Sequence, residues 1–217
     1  MLTNSDSMRL TVKDFEGVTA VITDPPYGVN LKSNCKRGVK GRSESYSIKG
    51  DKDQSCGEYV LGLARQAQVP VIAMFASPRL PWSGKFRNLI VWDKGGGTGF
   101  GGDTATCLRR TWELIQVENT IPMVGRPESV WRVSLNNAIY KDHPCAKPVG
   151  LIKKLITTFV NITNPLIFDP FMGSGPTGVA CAELGIDFKG NEIDKTYFQT
   201  ARLKIEEAGN NYQCRLF

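Results

Sequence analysis

Residues 165–178 constrain the fold most, because an apolar strand, a glycine turn and the start of a helix follow one another without a break. The strand ends at Asp169, and Gly173 and Gly175 allow the backbone of the turn to approach a ligand closely. Pro176 suits the first position of a helix, where its missing N–H is not needed. No lysine follows the glycines, so the turn is not a phosphate loop. A strand that feeds a helix in this way predicts an open α/β sheet.

A second apolar run, residues 18–23, ends in Asp24-Pro25-Pro26-Tyr27. Two consecutive prolines fix the backbone and remove two N–H donors, so nearby groups are held in one geometry. Asp24 and a proline carbonyl are suited to accept the two N–H bonds of an exocyclic amino group on a planar base, while Tyr27 stacks on the ring. The alternative interpretation is a tight turn at the end of a strand.

A further acidic residue follows the next strand of the same region. Residues 187–190 read as a strand that runs into Asn191 and Glu192. A carboxylate at this distance beyond a glycine turn is placed to bind the two ribose hydroxyls of a nucleoside cofactor.

With these motifs the sequence resembles the S-adenosylmethionine-dependent amino-methyltransferases of DNA. The order is the permuted one, in which Asp-Pro-Pro-Tyr precedes the Asp-Pro-Phe-x-Gly-Ser-Gly of residues 169–175. Between them, residues 143–148 look like the family's His-Pro-x-x-Lys-Pro turn beside the methionine end of the cofactor. The resemblance is close over residues 2–28 and 143–205, and elsewhere extends only to the strand pattern. One departure is Pro176, where the family commonly has threonine.

The resemblance implies a set of residues that bind S-adenosylmethionine. Asp169 is expected on the methionine ammonium, Glu192 on the ribose, and the glycine turn against the methionine and ribose. Asp6 is expected near the adenine or, equally, as the cap of the following turn, and Phe171 either near the adenine or in the core. The full set is Asp6, Lys147, Asp169, Phe171, Gly173, Ser174, Gly175 and Glu192. His143 is expected to have a structural role.

The expected reaction is transfer of a methyl group from S-adenosylmethionine to N6 of a flipped-out adenine in DNA, without a metal. Asp24, Pro25, Pro26 and Tyr27 are the candidate catalytic residues. Adenine is preferred over N4 of cytosine because, in the family, aspartate at the head of the tetrapeptide is commoner for adenine and serine for cytosine. An N4-cytosine methyltransferase is the first alternative. An RNA methyltransferase and an inactive nucleic-acid-binding protein are further alternatives, and pairing with a restriction nuclease is left open.

Positive charge predicts contacts with DNA. The formal net charge is +6 and the isoelectric point about 9.0, a mild preference for polyanions. Much of the excess lies in residues 30–55, which we interpret as a mobile loop on backbone phosphates, although a solvated loop is the alternative. A short target-recognition region is expected at residues 95–142. The candidate DNA contacts are Lys36, Arg37, Lys40, Arg42, Arg126 and Arg132, with Asn136 or Asn137 reading adenine.

The 217 residues predict one domain with a mostly parallel, seven-stranded Rossmann-like sheet and helices on both faces. If the strands before Asp24 and Asp169 are neighbours, their carboxyl ends meet at the switch point of the sheet, where the cofactor and the target base would share one crevice. Residues 112–124 are expected to cover a helix end and a strand, and the last helix to run from Lys195 to Ala208, capped by Asp194 and stopped by Gly209. With no long apolar run and no leader-like N-terminus, a cytoplasmic location is expected.

Overall fold

A computed structural model describes residues 1–28, 32–33, 46–47, 50–95, 106, 108, 111–135 and 146–214. The strands in this part of the chain are β1 (Leu2–Thr3), β2 (Ala20–Thr23), β3 (Lys32–Ser33), β4 (Tyr46–Ser47), β5 (Val71–Ala76), β6 (Asn88–Asp93), β7 (Trp112–Asn119), β8 (Val130–Arg132), β9 (Leu166–Asp169) and β10 (Asp187–Asn191). The helices are α1 (Ser55–Gln66), α2 (Val149–Phe159), α3 (Pro176–Leu184) and α4 (Lys195–Cys214), with short 3-10 helices at Ser7–Arg9 and Val12–Phe15. None of these helices is long and apolar enough to cross a membrane.

The main sheet has eight strands in the order β1-β10-β9-β2-β5-β7-β6-β8, and β3 pairs with β4 in a separate ribbon. Strand β7 is antiparallel to both of its neighbours, and the other pairings are parallel. The mostly parallel α/β sheet is therefore confirmed, but the expected count of seven was wrong. The extra strand is β8, whose three residues are too few for a period-two pattern to stand out.

The two motif-bearing strands are adjacent, which meets the condition for a shared crevice. In β2 and β9, Ala20 pairs with Ile167 and Val21 with Phe168, in parallel. The carboxyl ends of both strands therefore meet at one edge of the sheet, which we call the catalytic edge.

Apolar side chains on both faces of the sheet form the core. On one face, α2 and α3 pack over the central strands, and Trp92 and Trp131 are each 1% exposed. On the other face α1 and the segment around Phe15 cover β2 and β5. Burial on both faces explains why β5 reads as a continuous apolar run.

Two boundary predictions were wrong. Within residues 112–124, all of which the structure describes, no helix end is found, because Trp112 is already paired with Asp93 in the antiparallel β6–β7 ladder. Helix α4 continues through Gly209 to Cys214. Its later turns still pack on α3, since Ala208 is buried and the Tyr212 ring lies against Gly185, and this packing outweighs the roughly 1 kcal/mol that an interior glycine costs. The Asp194 cap is confirmed by hydrogen bonds from the backbone N–H groups of Thr196 and Tyr197.

Packing of α3 predicts opposite effects for two glycine substitutions. A Cβ at Gly178 would lie 2.3 Å from Ile205 Cδ1 and 2.7 Å from Phe188 Cε1, whereas Gly62 in α1 is exposed and has nothing within 4 Å. Gly178→Ala should lower the free energy of unfolding by about 1–3 kcal/mol, and Gly62→Ala should raise it by up to about 1 kcal/mol. Urea unfolding monitored by circular dichroism measures both. Equal stabilisation by the two substitutions would contradict the tight α3–α4 contact.

Candidate active site

Asp24 lies at the end of β2 and is held by two donors. The Lys147 ammonium lies 2.7 Å from Asp24 Oδ2, and the Tyr27 hydroxyl donates to Oδ1. Lys147 comes just before Pro148, the N-cap of α2, so packing of α2 on the sheet brings the ammonium to the catalytic edge. Its side chain is only 7% exposed, against 25% for Asp24. Asp24 is thus an oriented carboxylate with a cation beside it.

A second carboxylate, Glu113, lies beside Lys147. Its Oε2 is 3.2 Å from the Lys147 ammonium, but the contact lacks hydrogen-bond geometry, and this buried oxygen has no hydrogen-bond donor in the described part of the chain. The ammonium of Lys94, which follows β6, contacts Glu113 Oε1. Asp24, Lys147, Glu113 and Lys94 therefore form a row of alternating charges, which we call the charge row.

Sequence reasoning missed Glu113 and Lys94, and it assigned Lys147 to the cofactor without foreseeing the ion pair with Asp24. One signal was present in β7. Glu113 shares a face with Ile115 and Val117, which are fully buried, so an acidic residue directly precedes two core residues on that face. A carboxylate in that position needs a cationic partner.

Burial and neighbouring charges shift the pKa values of Asp24 and Glu113 in opposite directions. Burial raises the pKa of Asp24, Lys147 opposes that rise, and the negative charge of Glu113 adds to it. Burial also works to raise the pKa of Glu113, but Lys147 and Lys94 together hold it below its ordinary value. A proton that enters the charge row is therefore favoured on Asp24 rather than on Glu113.

Aromatic rings line this part of the site. The Trp82 ring meets the half-buried Tyr27 ring edge-on, with centroids 6.4 Å apart, and the Trp82 N–H is held by the Phe75 carbonyl. The Lys147 ammonium lies 5.1 Å from the Phe75 centroid and 5.6 Å from that of Tyr27. The contacts of Trp82 and Lys147 with Tyr27 fix the orientation of its ring.

The end of the predicted basic loop anchors the turn. Asp51, which is 4% exposed, accepts a hydrogen bond from the Gly28 N–H at 2.9 Å. A Cβ at Gly28 would lie 2.6 Å from the Asp53 carbonyl carbon, and Gly28 has a φ of 73°. The residues just before α1 therefore pack against the turn after Tyr27.

Asp169 ends β9 and accepts three hydrogen bonds. The hydroxyls of Thr23 and Thr177 each donate at 2.6 Å, and the Phe171 N–H at 3.1 Å. Asp169 is 3% exposed. Burial raises its pKa to about 6, although these three bonds act against the rise and the charge of Asp24 adds to it.

Glu192 follows β10 and binds the glycine turn. Its Oε2 accepts the Gly173 N–H at 2.9 Å and its Oε1 the Asp194 N–H at 2.7 Å. Burial raises the pKa of Glu192, which those backbone bonds oppose. Next to it, the Asn191 amide donates to Ser7 Oγ. The ends of β1, β9 and β10 are thus joined by hydrogen bonds at one edge.

The remaining predicted cofactor residues lie around this edge. Asp6 caps the first 3-10 helix by accepting the Met8 N–H at 3.0 Å, as its capping alternative predicted. Phe171 is half-buried against the core, and Ser174 is 3% exposed. At Gly175, φ is 84° and a Cβ would lie 2.8 Å from Ala201 Cβ, so this glycine serves the packing of α3 on α4. The cofactor roles of these residues stay predictions.

Of the predicted DNA contacts, Arg132 lies at the catalytic edge, where it is 79% exposed and pairs with Asp93 at 2.7 Å. Arg126 is exposed near Val124, which is hydrogen-bonded to Thr158 at the opposite end of α2. The remaining candidate contacts fall outside the described residues: Lys36, Arg37, Lys40, Arg42, Asn136 and Asn137. His143, for which a structural role is expected, also lies outside them. The target-recognition region at residues 95–142 stays a prediction.

Known proteins share part of this sequence. Residues 108–203 match the family model of N6/N4 methyltransferases, described as DNA methylase. The Type II methyltransferase M2.DpnII of Streptococcus pneumoniae is 37% identical over 82 residues, which are 36% of this chain and 30% of that protein. The DNA adenine methyltransferase YhdJ of Escherichia coli (strain K12) is 32% identical over 87 residues, 39% of this chain and 29% of that protein. The chain thus matches less than a third of either relative's length.

Solved structures share the fold over nearly the whole chain. M1.HpyAVI in complex with SAM has a TM-score of 0.65 at 22% identity, covering 94% of this chain and 98% of that one. The PvuII DNA methyltransferase, which is cytosine-N4-specific, has a TM-score of 0.69 at 13% identity, covering 98% and 90%. These structures show that the chain has the fold of DNA methyltransferases. Together with the family-model match over residues 108–203 and the partial matches to Type II methyltransferases, they support an S-adenosylmethionine-dependent DNA amino-methyltransferase, N6-adenine or N4-cytosine.

Proposed function

We propose that this protein transfers a methyl group from S-adenosylmethionine to the N6 amino group of adenine in DNA. The observation that carries the proposal is the arrangement at the catalytic edge. An oriented carboxylate, Asp24, lies beside an aromatic ring, and Asp169 ends the neighbouring strand next to the glycine turn and Glu192. An acceptor for an amino group and a set of groups for a nucleoside cofactor therefore share one edge of the sheet.

The residues at the ends of β1, β9 and β10 fit S-adenosylmethionine chemically. Two buried carboxylates, Asp169 and Glu192, suit the ammonium and the ribose hydroxyls, and Phe171 offers an aromatic face. Both carboxylates have raised pKa values, so each gains from a donor or cation that favours its charged form. When bound, the cofactor supplies a methyl group that the adjacent positive sulfur makes electrophilic.

Asp24 prepares the nitrogen of the base. The lone pair of an exocyclic amino group is delocalised into the ring, so the nitrogen is a weak nucleophile. When Asp24 and the Pro25 carbonyl accept its two N–H bonds, the lone pair is localised and aimed at the methyl carbon. The nitrogen would form its bond to the methyl carbon as the sulfur–methyl bond breaks and the sulfur leaves as a neutral thioether. The nitrogen would then lose one proton to Asp24 or to water. The raised pKa of Asp24 favours its taking up this proton.

Tyr27 replaces the stacking partners that the base loses. A base inside a duplex does not reach a carboxylate at the end of a buried strand, so the nucleotide flips out. The Tyr27 ring, oriented by Trp82, supplies a flat surface for it. Arg132 and the basic residues at positions 30–55 are the candidates for phosphate contacts.

N4 of cytosine is the second candidate. The two amino groups present similar chemistry, and similar proteins include both an adenine and a cytosine-N4 enzyme. Asp24 at the head of the tetrapeptide is the observation that favours adenine. The Type II name of M2.DpnII supports a role in restriction-modification as a further part of this proposal.

Nucleoside analysis by mass spectrometry of methylation-free plasmid DNA, incubated with the protein and S-adenosylmethionine, tests the proposal. We expect N6-methyladenine. N4-methylcytosine would move the assignment to the second candidate. Methylation of RNA alone would overturn DNA as the substrate, and cofactor binding without any methylated product would favour a binding protein.

Substitution of Asp24 separates chemistry from cofactor binding. Asp24→Asn keeps the size of the side chain. It removes the negative charge that accepts the amino group of the base and pairs with Lys147. The rate of methylation should fall by about 10³-fold or more, while the Kd for S-adenosylmethionine stays within about threefold. Single-turnover assays and isothermal titration calorimetry measure the two quantities. A parallel loss of both would indicate that Asp24 supports the whole site rather than the reaction.

Cofactor binding should depend on pH through Asp169. Its pKa is raised to about 6, and only the ionised carboxylate attracts the ammonium of the cofactor. The Kd should therefore rise about tenfold per pH unit below 6 and level off above it. In Asp169→Asn, binding should be weaker and nearly independent of pH. Calorimetric titrations from pH 5 to 8 check this, and a slope that survives the substitution would assign the dependence to another group, such as Glu192.

A further inference from the structure

We propose that Glu113 is a positioning residue for methyl transfer: it takes the Lys147 ammonium when the amino group of the base engages Asp24. This inference rests on the proposed function. It concerns the part of the charge row that the sequence motifs do not contain, namely Glu113 at the start of β7 and Lys94 after β6.

Both carboxylate oxygens of Asp24 already have donors, so Lys147 needs a second acceptor if the base is to bind Asp24. Its Oδ1 accepts from Tyr27 and its Oδ2 lies 2.7 Å from the Lys147 ammonium. An amino group that donates to Asp24 therefore competes with donors already in place. An ammonium that is 7% exposed has little water to turn to, so a second carboxylate beside it lowers the cost of leaving Asp24.

Glu113 offers that acceptor. Its Oε2 is only 3.2 Å from the Lys147 ammonium and has no hydrogen-bond donor among the described residues. A shift of a fraction of an ångström, with a rotation about the end of the lysine chain, would complete a charge-assisted hydrogen bond there. The same motion withdraws the cation from Asp24 Oδ2. Lys147 thus stays paired in both arrangements, and Asp24 becomes available to the base.

Lys94 keeps Glu113 in place. Its ammonium contacts Oε1, so one oxygen of Glu113 is fixed while the other faces Lys147. The Lys94 ammonium also lies 5.2 Å from the centroid of the buried Trp92 ring. This cation–π contact further restrains the lysine. Glu113 is therefore rigidly held and ready to receive Lys147.

Glu113 also acts on Asp24 through its charge. The groups that face Asp24 are Tyr27 on its own turn, Lys147 before α2, Glu113 on β7 and Asp169 at the end of β9. Of these, Glu113 adds to the rise in the pKa of Asp24. Neutralising Glu113 should therefore lower that pKa and, at the same time, leave Lys147 more tightly bound to Asp24.

The test uses Glu113→Gln, which keeps the size of the side chain. We expect kcat to fall about 10- to 100-fold, the size of one lost charge-assisted hydrogen bond. The Kd for S-adenosylmethionine should stay unchanged, and the acidic limb of the kcat–pH profile should move to lower pH. Glu113→Asp, which keeps the charge, should recover part of kcat and return the limb towards its original position.

Glu118→Gln is the matched control. Glu118 lies on the same strand and also pairs with a basic group, Arg65, with Oε1 3.0 Å from Arg65 Nε. It faces Ile72 at the start of β5, the opposite edge of the sheet. This variant should keep the kcat and the pH profile of the unmutated protein. Circular dichroism establishes that both variants are folded.

A carboxyl titration separates failure of this inference from failure of the proposed function. Carbon-13 NMR of labelled Asp24, without DNA or cofactor, should give a lower pKa in Glu113→Gln than in the unmutated protein. If the unmutated protein methylates DNA but Glu113→Gln keeps full kcat, or leaves the pKa of Asp24 unchanged, the inference is wrong and the proposed function stands. If the unmutated protein methylates no base, both fail.

Discussion

The hydrogen bond from Thr23 to Asp169 joins the two halves of the site. Thr23 is the last residue of β2, directly before Asp24, and Asp169 is the last residue of β9. The two are 146 positions apart in the chain and 2.6 Å apart in space. Asp169 is buried and shares its oxygens between Thr23, Thr177 and a backbone N–H. A slip of β2 along β9 would remove the Thr23 donor from this buried carboxylate, at a cost of about 1–3 kcal/mol, so the hydrogen bond favours the register that aligns Asp24 with the glycine turn.

The charge row has a different role, because buried ion pairs contribute little net stability. Taking Asp24, Lys147 and Glu113 out of water costs about as much as their attraction returns. What the arrangement provides is a carboxylate that is already oriented and largely desolvated before a base arrives. Alternation of sign along the row keeps every charge next to an opposite one. The site can therefore hold four ionised groups in a small volume beside the apolar core.

The sequence predicts those parts of the structure that are determined by residues close together in the chain. Continuous apolar runs located β2, β5 and β9, and glycine and proline spacing located α3 to the residue. The end of α4 was wrong because Gly209 signals a stop locally, while contacts with α3 continue the helix. Strand β8 was missed because three residues carry too short a pattern.

The candidate site divides in the same way. Sequence motifs contain four of the site residues, and the chemistry of these motifs could be predicted without the fold: Asp24, Tyr27, Asp169 and Glu192. Glu113 stands in no motif, and its partners are supplied by β6 and by the segment before α2. Pairing of β6 with β7 places Trp92 opposite Glu113. Lys94, two residues after Trp92, therefore lies beside Glu113. A functional role that arises from three separate segments has no local signature, whereas an acidic residue on a buried strand face is a general sign that such partners exist.

The choice of lysine at position 147 agrees with a cation that changes partner during turnover. An arginine guanidinium presents a planar fork that binds a carboxylate through two parallel bonds, and withdrawing it from Asp24 would break both at once. An ammonium is a compact charge on a flexible chain, so it can lie between two carboxylates and move closer to one or the other. Distances of 2.7 Å to Asp24 and 3.2 Å to Glu113 describe such an intermediate position. The aromatic rings of Tyr27 and Phe75 lie 5.6 Å and 5.1 Å from the ammonium in this position, near enough to favour its positive charge.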